Sequence, residues 1–379
     1  MIYSIKSKFD TTIYEKLEDG IYSSSVNTGI DEVLEIEKVV SSSLGTGPFN
    51  SRILIKFNMP KEVHSSSAAI KPKGAVKSYL NLYSSAPAAS ANHAETVNIL
   101  ALSQSWQPGL GRKSNRPYTT DEGASWKYIN GHGNVTWSNY LGNPSPGGST
   151  TQGPGVTLST STQWILPTHS YQRADLRVDV SDFVQHWTGS VISNNGFLLQ
   201  RRNTNEAGGE RKTHLQFYSK DTHTIYEPRL EFCWDDSTWN TGSLTELDTS
   251  DGSSFFIYTK NNNATYEYGT KAKFRIVGRE KYPVKTYGTT SAELAIKYLP
   301  SGSAFYSVKD LKTGETIIPY DHTFTKISCD SISNFFEIYT TNLSAERYYQ
   351  LEIKVYESGS NFHTPVGYYP IKDVFKVVR

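Results

Sequence analysis

Apolar and polar residues alternate along most of this chain. In "SRILIKFNM" (Ser51–Met59), Ile53, Ile55 and Phe57 fall on one side of a strand, and Arg52, Leu54 and Lys56 fall on the other. A period of two predicts a half-buried β-strand. "VKSYLNLYSS" (Val76–Ser85) and "ETVNILALSQSW" (Glu95–Trp106) repeat the pattern. One stretch breaks it. In "VDVSDFVQHWTGSVISNNGFLLQR" (Val178–Arg201), Val180, Phe183, Val184 and Trp187 recur at i, i+3, i+4 and i+7, the apolar face of a short helix. Ser181 is placed to cap that helix and Gly189 to stop it. Asn195-Gly196 then turns the chain into a strand from Phe197.

Between Gly109 and about Ser161 the chain becomes loop-like, with "NPSPGGSTTQGPG" at its centre. Trp106, Trp126 and Trp137 nevertheless punctuate this region. A disordered linker rarely keeps so much aromatic surface, so an ordered excursion packed back onto a sheet is expected. "DDSTWNTGSLTELDTSDGSS" (Asp235–Ser254) is dominated by turn formers and marks a domain boundary. Beyond it, alternation resumes through "SFFIYTK", "FFEIYTTNL" and "RYYQLEIKVYES", and "DLKTGETIIPY" reads as a hairpin turning at Thr313-Gly314. About seven short strands at this spacing suit an immunoglobulin-like sandwich. The expectation is an all-β chain with one β-sandwich domain over 1–240, carrying a short helix, and a second over 241–379.

Composition narrows the function classes. The 379 residues carry a formal charge of +1, so no basic excess draws the chain to nucleic acid or an anionic membrane surface. No apolar run is long enough to span a bilayer, and "MIYSIKSKFDTTIYEK" lacks the apolar core of a signal peptide. Synthesis in a cytoplasm is therefore expected. Cys233 and Cys329 have no ligand spacing around them and read as isolated thiols.

The usual catalytic constellations are missing from the sequence. No G-x-S-x-G elbow occurs, and the nine His form no H-x-x-x-H pair. His214 and His223 flank one short segment and read as structural or surface residues. Asp121-Glu122 reads as a solvated turn rather than half of a sugar-cleaving pair. Glu246, Asp248 and Asp251 depart from calcium-loop spacing and read as Asx turns. No metal and no cofactor is expected. The remaining candidate site is aromatic. Trp106, Tyr118, Trp126, Tyr128, Trp137 and Tyr140 crowd one region, where they either seal the loop, anchor a protein partner or stack on a sugar.

The order of landmarks over the first 236 residues or so resembles the DNRLRE domain. These are "TTIYEKLEDGIYSSSVNTGIDEVLEIEK", "SRILIKFNMP", "SYLNLYSS", Trp106 of "LALSQSWQPGLG", "GASWKY", "VDVSDFVQHWTG", "NNGFLLQR" and "LQFYSKDTHTIYEPRLEFCW". That family implies a jelly-roll-like β-sandwich found in surface proteins and phage virions. "SAFYSVKDLKTGETIIPYDHTFTKISCDSISNFFEIYTTNLSAERYYQLEIKV" is similar to β-sandwich modules of structural proteins from T4-like and cyanophage-like tailed phages. Together the two resemblances imply a non-enzymatic virion component of tail, baseplate or neck. Its partners would be other virion proteins, with a homo-oligomer around the tail axis as one arrangement, and with neither nucleic acid nor membrane. The alternative is an adhesin recognising host surface glycans. In either case Val180, Phe183, Val184 and Trp187 are expected to be a fold signature that plugs one end of the first sandwich.

Overall fold

The computed structural model describes residues 1–15, 25–39, 49–60, 76–86, 95–137, 162–166, 175–201, 214–260, 262–284, 287–288, 294–357 and 365–379. The fold is all-β and sandwich-type. The chain groups into two compact units, one of residues 5–69 and 77–231, the other built chiefly of Met1–Ser4 and Phe232–Arg379.

In the first unit, Phe197–Arg201 lies between Glu95–Ala101 and Phe49–Lys56 in a six-stranded sheet whose other members are Thr162–Leu166, Phe9–Tyr14 and Lys38–Val39. Lys77–Leu82 pairs with Leu176–Asp179 in a second sheet, and Val33–Ile36 pairs with Leu215–Tyr218 as a ribbon. The register places Leu198 opposite both Leu54 and Leu100, and Leu199 opposite both Ile53 and Ile99. The two sets point to opposite faces, and all of these residues are buried. The strand expected to be half-buried is therefore buried on both sides, Arg52 and Leu54 included. The alternation showed one covered face, and the second is covered by a distant loop described below.

The helix forms at Ser181–Thr188, and Val180, Phe183, Val184 and Trp187 are all buried. Phe183 and Trp187 set their rings 5.9 and 4.7 Å from Phe197. Gly189 is the C-cap, as expected, whereas the N-cap lies one residue earlier than expected. Val180 is the N-cap, and Ser181 instead hydrogen-bonds to Asp179, whose Oδ1 accepts its backbone N–H at 2.9 Å. An Asx turn at Asp179 thus leads into the helix, which has no side-chain cap. At the other end, Ser190 adopts the left-handed conformation (φ 57°) while Gly189 stays at φ −75°. Gly196 is the glycine the turn needs, because at φ 95° a Cβ there would stand 2.4 Å from the Ile55 carbonyl oxygen.

The second unit is built of two facing sheets. One joins Lys271–Glu280 to Phe255–Lys260, Asn334–Tyr339, Ser328–Cys329, Lys297–Tyr298 and Thr245–Glu246. The other runs Thr265–Glu267, Pro365–Val378, Arg347–Tyr356, Ala304–Asp310, Thr316–Ile318. Rings from both meet between them. Phe336 lies 4.2 Å from Tyr306, and Phe274 lies 5.0 Å from Phe375. Ala304–Asp310 and Thr316–Ile318 pair as the expected hairpin, with Gly314 at φ 72° in its turn. Asp248 and Asp251 accept backbone N–H groups two residues on, from Ser250 and Ser253, as Asx turns do. Cys233 and Cys329 are buried and not joined in a disulfide. Among the described residues no helix is long and apolar enough to cross a membrane.

Candidate functional site

The aromatic loop comes first, because the sequence pointed to it. Trp106, Trp126 and Trp137 are buried and gather with Ile13, Leu54, Leu100, Leu102 and Leu198 in one cluster. The loop after Leu102 is thus the lid on the second face of the six-stranded sheet. The Trp106 and Trp137 indole N–H groups are spent inside, on the carbonyls of Asn195 and Ser125 at 2.9 Å each. Arg52 lies 4.4 Å over the Trp126 ring and Phe9 lies 6.2 Å from that of Trp106. These three indoles face the sheet and offer no ring to a sugar or a partner. Tyr118 is partly buried against Tyr14 and Val26, with Arg116 4.1 Å over its ring. Tyr128 is half-buried under Lys127. Tyr140 lies outside the described residues. Among the described residues no exposed aromatic platform forms here, and the physical reason is that the sheet face beneath is apolar and needs cover.

Asn27 fastens this lid. Its amide donates to the carbonyls of Pro108 (2.6 Å) and Ala124 (2.9 Å), and its oxygen accepts from the N–H of Gly111 (2.8 Å) and Gly29 (3.2 Å). Gly109, at φ 74°, lies so close that a Cβ would stand 2.3 Å from the Asn27 oxygen. The Gly-Leu-Gly stretch therefore serves a close backbone approach.

A polar cluster sits on the ribbon beside the lid. The register pairs Gln216 with Glu35 and Leu215 with Ile36, which brings His214 level with Glu37 on the same face. The buried Glu35 accepts from Gln216 Nε2 (3.0 Å), His214 Nε2 (3.2 Å), Lys113 Nζ (2.6 Å) and the Tyr14 hydroxyl. Burial alone would raise this carboxyl, but hydrogen bonds from His214, Lys113 and Tyr14 outweigh it and hold it well below the usual carboxylate range. Burial and the neighbouring Glu35 charge push the Tyr14 hydroxyl up. An open recess of about 320 Å³ adjoins, lined by Asp31, Glu32, Val33, Glu35, Lys113 and Ser114. Burial lifts Asp31 on its rim to about 6, against a hydrogen bond from the Lys113 backbone N–H.

Glu35, Glu37 and His214 bring three potential ligand atoms within 4.8 Å of one another. Lys113 Nζ, however, stands 2.6 Å from one Glu35 oxygen and 3.9 Å from Glu37. An ammonium already occupies the place a cation would take. The cluster joins four segments distant in sequence and is an electrostatic tie between strand, ribbon and lid. Burying this carboxylate carries a desolvation cost that its partners offset, and removing one partner is the costly change. Sequence reading placed His214 as structural and did not connect it with Glu35. The alternation in "LEIE" and "HLQF" was the available signal, and it required the register to be known.

A third region lies on the second unit. Phe256, Tyr258 and Lys260 point outward from the strand Phe255–Lys260, which pairs only with Lys271–Glu280 among the described residues. Phe256 and Tyr258 remain 43% and 42% exposed and Tyr282 80%, unlike the indoles of the lid. Arg279 lies 5.2 Å and Lys281 5.5 Å from the Phe256 ring centre, and Lys281 lies 5.6 Å from that of Tyr282.

No family model matches this chain, and no curated protein does. Among solved structures, a mutant of Salmonella alpha-2-macroglobulin is similar at a TM-score of 0.19 and 8% identity, covering 98% of this chain. This chain spans 26% of that protein's length, and a likeness at this level carries no argument about fold or function.

Proposed function

We propose that this chain is a non-enzymatic structural component of a tailed-phage virion, in its tail, baseplate or neck, where it holds protein to protein. In this reading it is made in the host cytoplasm and built into the particle. The two ordered resemblances in the sequence suggest the setting. The observation that carries a contact-making role is the outward row of Phe256 and Tyr258, with Tyr282 beside it, on one sheet face. Rings left out of water's reach only in part, in a row on a rigid element, suit anchors for a protein partner. The glycan-adhesin reading rested on Trp106, Tyr118, Trp126, Tyr128, Trp137 and Tyr140, and the three indoles among them are buried against the sheet.

The test is made on particles. Antibodies against the chain are applied to gradient-purified phage from lysates of cells carrying the gene. The expected result is co-sedimentation with infectious particles and gold labelling at tail, baseplate or neck. Infectious particles that lack the chain would overturn the proposal.

A further inference from the structure

The outer face of the second unit's Phe255–Lys260 sheet carries more than rings. Lys260 follows Phe256 by four residues and Tyr258 by two, and the register sets Arg279 directly across from Phe256. Lys281 follows Arg279 by two residues. Elsewhere on this sheet the cations are matched. Lys271 pairs with Glu337, Arg275 and Lys273 with Asp330, and Lys297 with Glu280. Among the described residues, Lys260, Arg279 and Lys281 stand within ion-pair distance of no carboxylate. Asp251, whose oxygens accept the backbone N–H and hydroxyl of Ser253 at 2.8 and 2.9 Å, lies within the field of Lys281 but not within ion-pair distance of it.

From this arrangement we infer that the face formed by Phe256, Tyr258, Lys260, Arg279 and Lys281 docks an acidic peptide segment of a partner protein. The inference rests on the reading of the chain as a contact-making protein and adds the partner's chemistry. Three unmatched cations in one patch call for carboxylates. The rings say which class of polyanion brings them. Both a sugar and a nucleic-acid base bind such a site by stacking on a bare ring face. Here Arg279 and Lys281 lie over Phe256, and Lys281 also lies over Tyr282, so cations border two of the three rings and Tyr258 is left as a single, isolated ring face. Carboxylates on a flexible backbone reach the cations from the side and leave the stacks in place.

The experiment uses the full chain and poly-L-glutamate as the probe, with polygalacturonate and single-stranded oligodeoxythymidylate as competing polyanions. Binding is read by isothermal titration at low and at physiological salt. Poly-L-glutamate is expected to bind saturably, more weakly as salt rises, and ahead of the other two. The double reversal Arg279→Glu with Lys281→Glu is expected to weaken it about tenfold or more. Lys312→Glu, on the exposed hairpin turn of the same unit, is expected to leave it unchanged. Both variants are checked for an unaltered unfolding midpoint. Equal binding by all three polyanions, or binding indifferent to the double reversal, overturns the inference. Because binding is read on the isolated chain and the virion assignment on particles, the two fail separately.

Discussion

Asp10 allows a prediction whose size follows from its surroundings. It sits in the strand Phe9–Tyr14 opposite Ile55, on the face that also carries Ile53, and is 1% exposed. Its carboxylate accepts from the Lys220 backbone N–H (2.8 Å) and the Ser7 hydroxyl (3.0 Å). The Lys220 ammonium is turned to Asp221 instead, at 2.6 and 2.8 Å. Burial therefore dominates, and two hydrogen bonds with the Lys220 charge only partly offset it, so the carboxyl is raised from 3.8 to about 7. An acid whose folded value is raised holds its proton longer in the folded chain than in the unfolded one. Folding stability then falls as pH rises from about 4 to about 7, and above that the whole cost is present. A shift of about three units at ~1.4 kcal/mol each gives a cost of order 4 kcal/mol.

Asp10→Asn removes the charge and keeps an oxygen to accept both bonds. Urea unfolding is followed by the fluorescence of the buried Trp106, Trp126 and Trp137, at intervals from pH 4 to pH 8. The quantity of interest is the stability of the variant minus that of the wild type. It is expected to grow in the variant's favour by ~2–4 kcal/mol across that range. Asp31 also titrates high, at about 6, but it is present in both proteins and cancels. A difference that does not change with pH refutes the reasoning, as does a carbon-13 carboxyl resonance of Asp10 that titrates near 4.

Three further outcomes are expected. Trp187→Ala should cost ~3–5 kcal/mol in urea unfolding, whereas Trp187→Phe should cost under ~1.5 kcal/mol, because the indole Nε1 has no hydrogen-bond partner among the described residues. Asn27→Ala removes four hydrogen bonds at ~1 kcal/mol each and should both lower the urea midpoint and expose Lys113 and Lys127 to trypsin. Glu35→Gln should cost ~2–3 kcal/mol at neutral pH. The wild type keeps that contribution above the ordinary carboxylate value of 4.5 and loses it as pH falls towards the depressed folded value, so the two unfolding curves should converge in acid.

How much of this was legible depends on the range of the forces involved. The alternation in Ser51–Met59 and the 3.6-residue period through Trp187 are local, and both elements form. Ser181 does not cap because its hydroxyl donates to Asp179 and accepts the backbone N–H of Ser78 from a distant strand. The second partner is brought by tertiary packing and leaves no local signal. The lid was half legible: three indoles in a polar loop announce burial, but not that Leu54 and Leu198 wait beneath them. Asn27 reads as one more turn residue, although its partners lie at Pro108 and Ala124. Glu35 and His214 are closer still to invisible, since only the ribbon's register makes them neighbours. "SFFIYTK" shows a strand, but which of its two faces stays in water is decided by the second sheet.

The fate of the rings separates the two units. In the first, an apolar sheet face would be left wet without the lid, so the indoles go inward and their N–H groups are satisfied by backbone carbonyls. In the second, Tyr306, Phe336, Phe274 and Phe375 already fill the space between the sheets, so Phe256 and Tyr258 have nowhere to go but out. An exposed aromatic strand at a sheet edge invites association with any other edge. Here the cations bear on that hazard: Lys260 lies in the row itself, and Arg279 and Lys281 cover Phe256. Two copies of such a face repel each other, which keeps the unpartnered chain from pairing with itself. The same charges turn to attraction when the arriving surface is acidic. Protection against the wrong contact and recognition of the right one then come from the same three side chains, and reversing Arg279 and Lys281 should weaken both at once.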